Sequence, residues 1–207
     1  MNKKIFSENC NLSTYTTIKV GGIAEYFAEP RNVKELSYLL KWCNSRNKKC
    51  QIIGAGSNLL INNIFIKGLV ICTKKMKSLK IEQYSGIVEA EAGVMLPTLS
   101  NSLAKNGLQG GEWAVGIPGT LGGAIYMNAG TGNLSLAKNL ISVKVINNKT
   151  HEKLEIEKKD INFEYRFSSF QRNDLTIISA RLHFEPNGNL EKLIQTTKNN
   201  LKLKTET

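Results

Sequence analysis

"GGEWAVGIPGTLGGAIYMNAG", residues 110 to 130, sets Gly110, Gly111, Gly116, Gly119, Gly122, Gly123 and Gly130 among apolar residues with one charge, Glu112. So many glycines are poor material for a long regular element, since each costs up to ~1 kcal/mol relative to alanine inside a helix. The pattern predicts a loop around Pro118-Gly119 and a short helix from Thr120, with free N–H groups aimed at whatever lies in front. A closely packed glycine-rich core crossing is the competing account. Bare backbone flanked by "IP" and "MNAG" suits a flat aromatic ligand better.

A second glycine turn interrupts "QIIGAGSNLLI", residues 51 to 61. Glycine lets φ turn positive and lets another group approach the backbone. Successive N–H groups can then point at one anion, with Ser57 and Asn58 adding side-chain donors. The third glycine of a dinucleotide fingerprint is missing, and "LLI" reads as strand rather than helix. No Gly-Lys-Ser/Thr follows, so this is not a P-loop. Taken alone, a tight turn with nothing bound explains it equally well.

Around these turns the chain alternates strand and helix. Residues 15 to 29 read as a strand, a Gly21-Gly22 break and a second strand, "AEYFAE". Asn32 caps a helix with Glu35 three residues on, and Val33, Leu36, Leu39, Leu40 and Cys43 share a face. Further strands are expected at 51–53, "LLI" and 67–73. From about residue 75, "SLKIEQYSGIVEAEAGV" reads as two strands joined at Ser85-Gly86. Pro97 opens a helix with Leu96, Leu99 and Leu103 buried, closed by Gly107. Three strands follow, "LISVKVIN", "HEKLEIE" and "LTIISARLHFEP". In the last, Leu182 and Phe184 face opposite to Arg181 and His183. A closing helix over 189–203 places Leu190, Leu193, Ile194, Thr197 and Leu201 at helical spacing. This order predicts an α+β protein in two units, 1–74 and 75–207.

Composition narrows the function classes. A chain of 207 residues, 41% hydrophobic, buries roughly 70% of the surface it exposes when unfolded. Cys10, Cys43, Cys50 and Cys72 form no C-x-x-C and lie far from His151 and His183, which argues for free thiols and against zinc. No apolar stretch follows the lysines of "MNKKIFSENCNLSTYTT", and no run approaches the ~20 residues of a membrane span. A soluble cytoplasmic protein without a membrane partner is expected. The net charge of +11 raises a basic RNA-binding module as an alternative. Yet the lysines are scattered, and arginine occurs only at 31, 46, 166, 172 and 181 without interleaved aromatics, so no nucleic-acid partner is expected.

The two glycine stretches, "NLSTYTTIKVGG" at 11–22 and "YRFSSF" at 165–170 together resemble the UDP-N-acetylenolpyruvoylglucosamine reductase family. These are flavoenzymes of the vanillyl-alcohol-oxidase/PCMH type that complete UDP-N-acetylmuramate in bacterial wall synthesis. The ordered motifs span nearly the whole chain. The resemblance implies non-covalent FAD held between two α+β subdomains, 1–74 and 75–207, with NADPH as hydride donor and a nucleotide sugar as substrate. Gly54, Ala55, Gly56, Ser57, Asn58 and Leu59 would wrap the diphosphate. Gly116, Ile117, Pro118, Gly119, Thr120, Gly122, Gly123 and Ala124 would line the dinucleotide and flavin, with Asn128 nearby. Arg166 matches the catalytic arginine, and Tyr165 beside it would shape the substrate pocket. A fixed guanidinium suits the negative charge that develops over an enol and its carboxylate.

Two departures are visible inside the motifs: Ile18 stands where the family often has phenylalanine, and Ile23 where it often has proline. The resemblance also implies a C-terminal substrate domain, carrying a proton-donor serine in a "GS-x-F" segment and a late glutamate. The 207 residues contain no such segment and end at "KLKTET". The expectation is therefore an FAD-binding portion, either a fragment or a product that has lost a domain, with little or no activity alone and with another chain as a candidate source of the missing domain.

Overall fold

The computed structural model describes residues 5–62 and 64–205. Its first sheet joins β1 (Phe6–Asn11), β2 (Ile23–Ala28), β3 (Cys50–Ile53) and β4 (Phe65–Cys72) in the order β1-β2-β4-β3. β1 runs antiparallel to β2, whereas β2 and β3 both run parallel to the central β4. A parallel return needs a crossover, supplied by helix α1 (Val33–Ser45). Both faces of β4 are covered. Leu69 and Ile71 pack with Leu36, Leu39, Leu40 and Cys43 of α1. Val70 and Cys72, on the opposite pleat, pack with Leu12, Ala24 and Phe27.

The second sheet holds β5 (Leu79–Glu82), β6 (Ile87–Glu91), β9 (Leu140–Asn147), β10 (Lys153–Glu157) and β13 (Leu175–His183) in the order β10-β9-β13-β6-β5. All its pairings are antiparallel. Helix α2 (Leu96–Lys105) buries Leu96, Leu99 and Leu103, and helix α3 (Leu121–Tyr126) buries Leu121 and Ile125, in the cluster formed with Val143, Val145 and Leu182. A β-bulge interrupts β13 between Ile177 and Ser179. An extra residue reverses the side-chain alternation. Ile177, Ala180 and Leu182 therefore all point to α2 and α3, while Ile178 joins Ile146 against α1. Helix α1 is thus packed between the two sheets.

In the chain, β7 (Gly130–Thr131), β8 (Leu134–Ser135) and the one-turn helix α4 (Leu136–Asn139) precede β9, and the hairpin of β11 (Phe163–Glu164) and β12 (Phe167–Ser168) precedes β13. Helix α5 (Leu190–Thr205) closes the chain. Among the described residues no helix is long and apolar enough to cross a membrane.

Three expectations need correction. The strand expected at 15–20 does not form. The Asn11 side chain accepts from the Ser13 N–H (2.9 Å) and caps a 3-10 turn at Leu12–Tyr15, and Leu12 N–H donates to Gly22 (2.9 Å), closing a loop. The first strand, β1, lies upstream instead. The "LLI" strand is also absent: residues 59–61 have no regular structure, and Leu60 is 83% exposed. In α5 only Leu193 and Thr197 of the expected stripe are buried, while Leu190 and Leu201 face outward.

The capping of α1 forms as expected. Asn32 Oδ1 accepts from the Glu35 N–H (3.0 Å), and the Glu35 carboxylate accepts from the Arg31 N–H (2.8 Å). Asn32→Ala should lower the unfolding free energy by about 1 kcal/mol in a urea titration, and Asn32→Asp should recover most of it.

Candidate functional site

Strand β3 ends in the turn Gly54–Asn58. The Cys72 thiol donates to the Gly54 carbonyl (3.3 Å), and the Thr73 hydroxyl to the Ile53 carbonyl (3.3 Å). Both carbonyls are therefore tied to the end of β4. In a trans peptide the N–H opposes the C=O, so the Ala55 N–H is directed away from β4. Among the described residues, the N–H groups of Ala55, Gly56, Ser57 and Asn58 meet no protein acceptor. Gly56 has φ +68°, and a methyl group there would overlap the Tyr15 carbonyl oxygen. This position admits only glycine on both counts.

The second glycine stretch meets this turn directly. A methyl group on Gly54 would overlap the Thr120 hydroxyl, and the Ser57 hydroxyl donates to the Pro118 carbonyl (2.7 Å). Thr120 caps α3, accepting from the Gly123 N–H (3.5 Å). The loop is also stitched to the second sheet. Leu96 N–H donates to Gly119 (2.9 Å), Leu121 N–H to Val94 (2.8 Å) and Gly122 N–H to Ala92 (2.8 Å).

Two expectations change here. The N-terminal amides of α3 are not free, because Ala92, Val94 and Thr120 already occupy them. The Ser57 hydroxyl is likewise spent on Pro118, so it joins the loops instead of offering a donor. Among the described residues, free amides remain at residues 55–58 and at Gly119 and Thr120 ahead of α3.

Between these segments lies a cavity of about 870 Å³, within the usual range of ligand sites. Gly54, Ala55, Gly56, Ser57, Asn58 and Leu59 line one part, and Ile117, Pro118, Gly119, Thr120, Gly122, Gly123 and Ala124 another; Arg166 also lines it. Gly116, Asn128 and Tyr165 do not. The aliphatic stem of Lys204 covers Gly116, where an added Cβ would come 3.0 Å from Lys204 Cβ. The Asn128 amide donates to the Glu164 carbonyl (2.9 Å), and its Oδ1 is buried with no donor among the described residues. Tyr165 is 90% exposed. Other lining residues were not singled out from the sequence: Ile52 on the open edge of β3, Gln171, Asn173, and Leu175 to Ile177 at the start of β13. Only the fold brings them to one cavity.

Arg166 sits at the tip of the β11–β12 hairpin with φ +55°. A non-glycine residue there costs on the order of 1–2 kcal/mol, and the hairpin is held in place from below. Ser168 Oγ and Gln171 Nε2 both donate to the Tyr126 carbonyl (2.8 and 2.9 Å), and Gln171 Nε2 also reaches the Arg166 carbonyl (3.2 Å). The guanidinium lies 5.6 Å from the Tyr165 ring centroid and, among the described residues, makes no ion pair. It is a positioned cation with its charge uncompensated.

A family described as "FAD binding domain" matches residues 24–152. A UDP-N-acetylenolpyruvoylglucosamine reductase of Prochlorococcus marinus subsp. pastoris is 69% identical over 98% of this chain and 68% of its own length. The chain belongs to the UDP-N-acetylenolpyruvoylglucosamine reductase family. The crystal structure of the Thermus caldophilus reductase superposes with a TM-score of 0.79 at 26% identity, covering 96% of this chain and 69% of that one. An alkyldihydroxyacetonephosphate synthase shares the fold, with a TM-score of 0.64 at 14% identity over 88% of this chain and 38% of its own. The fold is the α+β FAD-binding fold of the vanillyl-alcohol-oxidase/PCMH type, as expected.

The lining of the cavity fits that cofactor. It has the volume, a side-chain-poor wall for a flat ring, and an unpaired run of amides for a diphosphate. Gly56→Ala and Gly132→Ala both place alanine at positive φ, but Gly132 has nothing within 4 Å of an added Cβ. Gly132→Ala should cost about 1 kcal/mol. Gly56→Ala should cost at least ~2 kcal/mol more in thermal denaturation, because the Tyr15 carbonyl cannot yield.

Proposed function

We propose that this chain holds FAD in the cleft between its two sheets and serves the NADPH-dependent reduction of the enolpyruvyl group of a UDP-N-acetylglucosamine derivative, giving UDP-N-acetylmuramate in the cytoplasm. The observation that carries this reading is the meeting of the two glycine segments at one cavity with Arg166 on its wall. In this reading the chain divides near residue 74 into two FAD-binding subdomains.

FAD held here would supply hydride-transfer chemistry between NADPH and the enolpyruvyl double bond. The amides of residues 55–58 hold the diphosphate, and the loop from Ile117 to Ala124 presents bare backbone to the dinucleotide and flavin. Arg166 binds the enolpyruvyl carboxylate and opposes the negative charge that builds on it. Tyr165 steadies the guanidinium by a ring contact.

The chain spans 68% of the length of the Prochlorococcus marinus relative.

The visible spectrum tests flavin binding: a near-stoichiometric flavin band is expected after reconstitution, and a protein that takes up no FAD overturns the proposal. Arg166→Gln should retain the flavin band but lose the spectral shift caused by adding the enolpyruvyl nucleotide sugar. Arg166→Lys should weaken that binding at least ~10-fold, since an ammonium cannot grip a carboxylate in two places.

A further inference from the structure

Helix α3 connects one wall of the cavity to the Arg166 hairpin. It begins after the loop through Pro118, Gly119 and Thr120, and its far end, at Tyr126 to Asn128, meets β11 and β12. The last carbonyls of a helix have no partner within it. Here the Tyr126 carbonyl accepts from Ser168 Oγ (2.8 Å) and from Gln171 Nε2 (2.9 Å), which fills both of its lone pairs. Asn128, at φ +43°, donates to the Glu164 carbonyl (2.9 Å).

These three donors hold different parts of the hairpin. Asn128 reaches the end of β11, and the fully buried Ser168 fixes β12. Among the described residues, Gln171 supplies the side-chain bond to residue 166 itself: its amide donates to the Arg166 carbonyl (3.2 Å) as well as to Tyr126, with the Met127 sulfur 3.6 Å away. That bond acts where the backbone is strained. At φ +55° any residue but glycine is disfavoured, and a tight turn relaxes from such a conformation unless an outside group holds it. The guanidinium has no anchor of its own. It makes no ion pair among the described residues, and the ring it touches, Tyr165, is exposed. Its starting point and direction are therefore set by the backbone of residue 166, and Gln171 lies in the same cavity wall.

We propose that Gln171 is the positioning residue of Arg166, tying the turn to the end of α3 so that the guanidinium keeps a fixed place relative to the cofactor wall. The proposal rests on the reading of Arg166 as the group that binds the enolpyruvyl carboxylate. A two-point grip on a carboxylate tolerates little misplacement. An ammonium, a point charge on a flexible stem, tolerates more. A positioning residue should therefore matter with arginine at 166 and matter little with lysine there, whereas a residue that touched the ligand itself would matter equally with both.

The test is a double-mutant cycle of Gln171→Met and Arg166→Lys in the FAD-loaded chain, with the Kd of the enolpyruvyl nucleotide sugar read from the flavin spectrum. Methionine keeps the length of glutamine and removes its N–H groups. Gln171→Met should retain the flavin band and raise that Kd about tenfold, the effect of losing roughly one hydrogen bond. With lysine at 166 the same change should cost about twofold or less. Gln171→Glu, equally long and also without donors, should repeat the loss and carries the test if the methionine variant does not fold. A Kd within about twofold of wild type in these variants overturns the assignment, as does an equal loss in both backgrounds. Loss of the flavin band in both Gln171 variants overturns it as well. A wild-type chain that takes up FAD but gives no spectral response to the nucleotide sugar overturns the Arg166 reading and this assignment together, with flavin binding left standing. A chain that takes up no FAD overturns all three.

Discussion

The Ser57 hydroxyl reaches the Pro118 carbonyl across 61 positions of sequence, and it can do so only because the chain carries almost no side chains where the two segments touch. Gly54 abuts Thr120, Gly119 abuts Ser57, and Gly122 lies against Ala92. A Cβ on Gly54 would displace the capping Thr120 hydroxyl, one on Gly122 would press on Ala92, and one on Gly119 would crowd the Ser57 hydroxyl, so the two segments could not meet as closely as they do. The candidate site is a product of that approach. Its amides belong to one sheet's turn, its opposite wall belongs to the other sheet's loop, and neither alone encloses a ligand.

The same constraint accounts for the polar economy of the site. A buried amide without an acceptor costs free energy comparable to a lost hydrogen bond, and most loop amides here are matched. Leu121 and Gly122 bond to Val94 and Ala92, and Leu96 bonds to Gly119. Those bonds rigidify the wall and occupy the first amides of α3. Among the described residues, unmatched amides remain at Gly119 and Thr120 and at the Gly54 turn, where anchoring of the Ile53 and Gly54 carbonyls turns the following N–H outward. Arg166 is treated alike: its strained backbone is held by Ser168 and Gln171 on Tyr126, so the guanidinium need not spend its charge on a structural partner.

Much of this was legible from local pattern. The Asn32–Glu35 capping, the Leu96, Leu99 and Leu103 stripe and the turn at Gly86 each depend on residues a few positions apart, and all form. The misses share a cause. "LLI" has strand composition but meets no neighbouring strand, and Leu60 stays exposed. The stretch at 15–20 has strand propensity but is bent by Asn11 and Gly21. Helix α5 has the right period, yet the space beneath it accepts only Leu193 and Thr197. In each case a partner element elsewhere in the chain, present or absent, outweighed propensity.

The site divides in the same way. The residue types were fixed by the chain itself: glycine where backbone must touch backbone, and arginine where a permanent planar cation is required. The resemblance of four ordered motifs to one family followed from those types alone. Only the folded molecule decided which amides remain free, that the Ser57 hydroxyl faces protein, and that Gly116, Asn128 and Tyr165 stand outside the main cavity. It also decided that Ile52 and Leu175 to Ile177 complete the wall. Hydrogen-bond donors are allotted by whichever acceptor lies nearest in space, and distance in space is not a property of a single segment.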